Sequence, residues 1–190
     1  MKKQIIFLLL TLVLTGYELN AQHQHHHGTE RKPTGASAAA TDPAFQKQLA
    51  AVFTSSQALN EALIASDAAK TKTAATAVLK ALALTEPGLL KGQPAAKNWL
   101  DYQQPLKTSL DRISKTNDLD QQRQAFAQFS ETLYQSIKAF GLGGTQAYYQ
   151  HCPMALNDTG GFWLSNSKTV RNPYFGHQML GCGSTKETLN

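Results

Sequence analysis

Between Asp42 and Gly141 the apolar residues recur every three or four positions, a spacing that commits roughly half of the 190-residue chain to amphipathic helix. Asp42 is a good N-cap, and Pro43 suits the first helical position, where its missing N–H has no helical partner to lose. Phe45, Leu49, Val52, Phe53, Leu59 and Leu63 then form one buried stripe. A break near Ser66 and Asp67 leads to a second helix, with Ala75, Val78, Leu79 and Leu82 inward, that stops at Glu86-Pro87-Gly88. The third begins near Pro94 and carries Trp99, Tyr102, Leu106, Leu110 and Ile113. Pro105 falls inside it and predicts a kink or a split, since an interior proline costs about 3 kcal/mol. The fourth, capped by Asp118 and ended by Gly141, carries Phe126, Phe129, Leu133, Ile137 and Phe140. Four such helices joined by short turns predict a mainly α fold, an up-and-down four-helix bundle over 43–142. None of the four carries a histidine, a cysteine or a Glu-x-x-His pair, so they read as scaffold rather than as a di-metal carboxylate site.

The chain before the bundle has a different character. Lys2 and Lys3 precede an apolar run from Ile5 to Leu14, too short to span a membrane, with a polar stretch ending at Ala21. Residues 1–21 thus read as a signal peptide, which makes the mature protein periplasmic or secreted with no membrane span. Residues 22–42 are polar and lack periodicity, and read as a disordered linker. His23, His25, His26 and His27 within it form a secondary, weak site for metal capture. The formal net charge of +5 is scattered along the chain, which excludes nucleic acid as a partner because that requires a concentrated basic face.

After Gly143-Gly144 the composition changes again. Tyr148-Tyr149 and Phe162-Trp163-Leu164 read as short strands around an Asn157–Gly161 turn, giving 143–190 as a small hairpin-rich appendage packed on the bundle. Both cysteines, both methionines other than Met1, and both histidines outside the tail lie in this region. Cys152 and Met154 flank Pro153, and Met179 and Cys182 flank Leu180-Gly181. If these two segments meet, two thiols and two thioethers converge, a donor set suited to Cu(I) or Ag(I). His151 and His177 are candidate additional ligands that would widen the choice toward zinc. The competing reading is a structural Cys152–Cys182 disulfide, since two cysteines in an oxidising compartment pair readily.

Catalysis has little to stand on. His151 adjoins Cys152 only in sequence, no carboxylate is placed to orient it, and there is no Cys-x-x-Cys pair, nucleophile elbow or phosphate-binding loop. The chain is therefore read as a non-enzyme.

The runs Tyr148–Ala155, Gly160–Ser165 and Asn172–Gly183 carry Y-Y-x-x-C-P-M-A, G-G-x-W-L-S and N-P-Y-F-G-x-x-M-L-x-C-G. They resemble an exported domain of unknown function from Bacteroidota-type bacteria. That domain also occurs fused to periplasmic adaptor subunits of heavy-metal efflux systems. The resemblance implies copper or silver handling by a stand-alone binding protein, with Cys152, Met154, Met179 and Cys182 as ligands. It also implies a heavy-metal efflux adaptor or another envelope protein as partner. The alternative is a non-catalytic envelope interaction module stabilised by the disulfide.

Overall fold

The computed structural model describes residues 41–190. The expected signal peptide, the tail histidines His23, His25, His26 and His27, and all but the last two positions of the expected linker lie outside the described residues.

Four long helices come first: α1 (Pro43–Ile64), α2 (Ala68–Ala83), α3 (Gln93–Lys115) and α4 (Leu119–Phe140). Their starts follow the capping chemistry of the sequence. Asp42 accepts from Ala44 N at 2.8 Å, Asp67 from Lys70 N at 2.9 Å, and Asp118 from both Asp120 N and Gln121 N. Each carboxylate thereby satisfies amide donors that a helix start leaves without partners. Gly141, at φ 78°, ends α4 in a conformation that costs a residue without Cβ nothing.

Consecutive helices pack against one another, with α1 also meeting α4. Phe45, Trp99 and Phe140 meet edge to face at ring centroid distances of 5.1 to 5.9 Å and close one end of the core. The stripes expected from the periodicity are buried, except that Leu79 and Tyr102 are only part-buried against the core.

Of the two outcomes expected at Pro105, a kink or a split, the split does not occur. α3 is a single helix from Gln93 to Lys115. Pro105 lies on its exposed side, so the Asp101 carbonyl that loses its helical donor faces water. Trp99, Leu106 and Leu110, all fully buried, hold both halves against the core.

The remainder of the chain builds a three-stranded antiparallel sheet in the order β2-β1-β3. Its strands are β1 (Ala147–Cys152), β2 (Gly161–Ser165) and β3 (Ser184–Leu189). β1 and β2 are the expected hairpin, paired from Tyr148↔Ser165 to Cys152↔Gly161. β3 was not expected, and it pairs with the other edge of β1 from Ala147↔Leu189 to His151↔Ser184. Its sequence, Ser-Thr-Lys-Glu-Thr-Leu, buries only Leu189 and so gives little hydrophobic signal. The sheet is joined to the helices through α4 and α1. Asn60 Nδ2, buried in α1, donates to Leu164 O at 2.7 Å, and Tyr134 of α4 stacks on Tyr149 at 3.8 Å.

Candidate functional site

Cys152 is the last residue of β1 and is fully buried, while Cys182 lies part-exposed, two residues before β3. The two are joined in a disulfide, with Cα atoms 5.7 Å apart and a sequence separation of 30. The cysteines of the two sulfur motifs therefore meet, in oxidised form. Closing a loop of this length removes denatured-state entropy worth about 3–4 kcal/mol.

Chain geometry on either side explains the approach. Beyond Pro153, Met154 stands half-exposed at 49%. The chain then turns through Ala155–Asp158, where Leu156, Asn157 and Asp158 all adopt positive φ of 55° to 63°. Three successive left-handed side-chain-bearing residues are unfavourable by about 1–2 kcal/mol each, so tertiary contacts must hold the turn. Ala155 does much of this: it is fully buried, and Gly160 N donates to its carbonyl at 3.0 Å. Gly161 must be glycine, because a Cβ there would lie 2.7 Å from the Tyr174 ring and 2.9 Å from Ala155 Cβ.

The segment from Asn166 to Gly183 crosses the sheet as a strap that ends in the second sulfur motif. Gln150, fully buried, reaches into it and donates from Nε2 to Ser167 O at 3.1 Å. Asn172 is fully buried as well: its Nδ2 donates to Cys182 O at 3.0 Å, and its Oδ1 accepts from Tyr174 N at 2.7 Å. The Tyr174 hydroxyl donates to Phe162 O, and burial pushes its ionisation well above the ordinary range. Arg123 of α4 donates from Nε to Pro173 O at 3.1 Å and from Nη2 to Ser66 Oγ at 3.0 Å. Burial lowers the basicity of this guanidinium, with Asp120 acting in the opposite direction.

The two histidines lie on different elements. His151 precedes Cys152 on the same strand, so pleat alternation sends its ring to the opposite side. There it packs on Phe162 at 4.1 Å, and burial, then Lys186, lowers its pKa. His177 is exposed on a short 3₁₀ turn, Gly176–Gln178. With Ser66, Arg123, Asn157 and Gln178 it lines an open cleft of about 420 Å³. Met179, part-buried, precedes Cys182 by three residues, and Cys182 N donates to Met179 O at 3.0 Å.

Among the described residues no group of three or more His, Cys, Asp or Glu side chains is placed to hold a metal ion. A cation at this place would have to draw on thioether sulfur in addition to the two cysteines. Oxidised, the cysteines offer no thiolate; reduced, their donor set fits a soft monovalent ion.

Residues 52–145 match the family described as "Protein of unknown function (DUF3347)". The matched segment runs from within α1 to just before β1, so it covers the helices and stops short of the cysteines. The C-P-M, W-L-S and N-P-Y-F-G motifs lie beyond it. No curated protein and no solved structure gives a significant match to the chain. None of the described helices is long and apolar enough to cross a membrane.

Sequence reasoning left Asn172 without a task and did not single out Gln150. The signal for Asn172 was its place in Asn-Pro-Tyr, where asparagine readily bonds its own backbone two residues on. For Gln150 there was none, because a buried glutamine in a strand is invisible without its partners.

Proposed function

We propose that this is an exported soft-metal-binding protein that takes up Cu(I) or Ag(I) when Cys152 and Cys182 are reduced. The observation that supports the reading is the meeting of Cys152 and Cys182, 30 positions apart in the chain and each with a methionine two or three residues away. Cys152 and Cys182 would supply thiolates, and Met154 and Met179 thioethers, a set that favours soft monovalent ions over zinc. Sequestration or hand-over beside a heavy-metal efflux system, from an up-and-down bundle scaffold, is the role this chemistry suits.

The thiols are released by a dithiol reductant of the Cys-x-x-Cys class. Its thiolate attacks Sγ of Cys182, the more exposed of the pair, forming a mixed disulfide and expelling Cys152 as thiolate, which takes up a proton. The second thiol of the reductant attacks the mixed disulfide and frees Cys182. Two electrons and two protons have then passed to the protein, and the reductant leaves as a disulfide.

A second reading has its own observation. Cys152 is fully buried and already bridged, which suits a structural staple in a non-catalytic module that docks onto an envelope partner. Native mass spectrometry of the mature chain, titrated anaerobically with Cu(I), separates the two. The metal reading expects one ion on the reduced protein, none on the oxidised protein, and loss of the ion in Cys152→Ser/Cys182→Ser. A reduced protein that stays empty sinks it and leaves the docking module.

A further inference from the structure

The link between the two sulfur segments is not the disulfide alone. Cys182 is held by Asn172, which donates to its carbonyl and takes the Tyr174 amide on the other end of the same side chain. Asn172 N also donates to Leu180 O at 2.8 Å, closing the strap on itself. On its C-terminal side Cys182 is fixed by the ladder between β1 and β3, which begins at His151↔Ser184. Between them Gly183 lies so close to β1 that a Cβ would stand 2.7 Å from His151 O and 3.0 Å from the Trp163 ring. Tyr174 completes the connection to the Cys152 side. Its ring lies against Gly161, opposite Cys152 in the register, and its hydroxyl bonds the next carbonyl, Phe162 O. Phe126 of α4 backs the same ring at 5.8 Å.

We infer that Asn172 and Tyr174 form a non-covalent clasp that keeps Cys152 and Cys182 facing each other after their disulfide is reduced. Resting on the reading that the reduced pair binds a soft cation, this makes Asn172 and Tyr174 positioning residues for the site. The ligand segments then need no ordering when the ion arrives, and the entropy of closing the loop is met by folding rather than by binding. Asn172 and Tyr174 are buried with partners for the side-chain groups they use here, so opening the clasp would strand those donors and acceptors away from water. The clasp also explains why two such exchangeable residues as Cys152 and Cys182 sit at the ends of well-fixed backbone rather than on a free loop.

The test is amide hydrogen exchange on the mature chain in the Cys152→Ser/Cys182→Ser background, which has no bridge, with the helices as internal reference. The clasp expects the Asn172 and Tyr174 amides to stay within about tenfold of their protection in the disulfide-bonded protein. Adding Asn172→Ala should then speed exchange of the Tyr174 amide by roughly tenfold or more while α4 is unchanged, the scale of one buried hydrogen bond lost. In the cysteine-containing protein the same substitution should shift the glutathione equilibrium of the pair toward dithiol by about tenfold, or about 30 mV. Should Asn172→Ala loosen the helices too, Tyr174→Phe removes only the hydroxyl and should move both readouts in the same direction by less. A strap that exchanges like unfolded peptide in the double-serine protein, beneath protected helices, overturns the clasp. So does an unchanged glutathione equilibrium in a folded Asn172→Ala protein. A protected strap on a reduced protein that takes no Cu(I) supports the clasp and overturns the metal reading alone.

Discussion

Single atoms decide several positions in this fold, and Gly176 is the sharpest of them. Its φ is 57°, and a Cβ there would lie 2.6 Å from Ile64 O and 2.8 Å from Ser66 Oγ. Backbone does not give way as the end of a side chain does, so the strap would have to lift from the α1–α2 turn. Gly176→Ala should therefore destabilise the protein by about 2 kcal/mol or more, read as a lower urea midpoint at unchanged slope. A shift under about 0.5 kcal/mol would mean that the strap is not seated there. Polar residues are fixed with similar economy. Gln122 is fully buried at the base of α4, and its Nε2 donates to Thr116 O at 2.8 Å and to Ala68 O at 3.1 Å. It thus ties the end of α3 and the start of α2 to α4. Neither residue could be ranked from the sequence, because the partner of each is distant in the chain.

At the scale of elements the helices were legible and the sheet only partly so. Caps and stripes are local, and Asp42, Asp67 and Asp118 act within three residues of themselves. Pro105 shows where local reasoning overreaches: its penalty is real, but the buried residues around it outweigh a break. Restoring the missing donor by Pro105→Ala should stabilise the protein by about 1–2 kcal/mol, less whatever the freer unfolded chain takes back, and raise the midpoint of thermal unfolding. No gain would mean that the helix already accommodates the ring without strain. The β1–β2 hairpin was visible through its aromatic residues and the glycine-rich turn. β3 was not, because its polar alternation gains meaning only beside β1.

On the scale of the whole molecule, charge joins the sheet to the helices. Glu187 of β3 pairs with Lys138 of α4 at 2.5 Å and accepts from the Tyr134 hydroxyl at 2.7 Å. The Lys138 hydrogen bond, and then Tyr134, hold its pKa below the ordinary 4.5, while partial burial works against them. Burial first, and then the bond to Glu187, push the Tyr134 hydroxyl up to about 12. A carboxyl with a depressed folded pKa binds protons less well than in the unfolded chain. Its contribution is present above about pH 4.5 and is lost as pH falls through the folded value. Unfolding free energy should therefore drop below about pH 4.5, and Glu187→Gln should flatten part of that drop while lowering stability at pH 7. Equal acid slopes for the two proteins would remove Glu187 from the account.

The sequence by itself determined the four helices, their boundaries and inward faces, and the concentration of sulfur-bearing side chains in the last forty residues. Each of these follows from spacing and capping within a few residues, where chain connectivity already supplies the proximity. Tertiary structure alone decided that Cys152 and Cys182 are partners, that His151 faces away from them and that His177 opens onto the cleft. It alone gave Asn172, Tyr174 and Gln150 their partners and β3 its place. Those outcomes depend on which distant segments meet, and that is settled by the packing of strap, sheet and α4 together rather than by any stretch of sequence on its own.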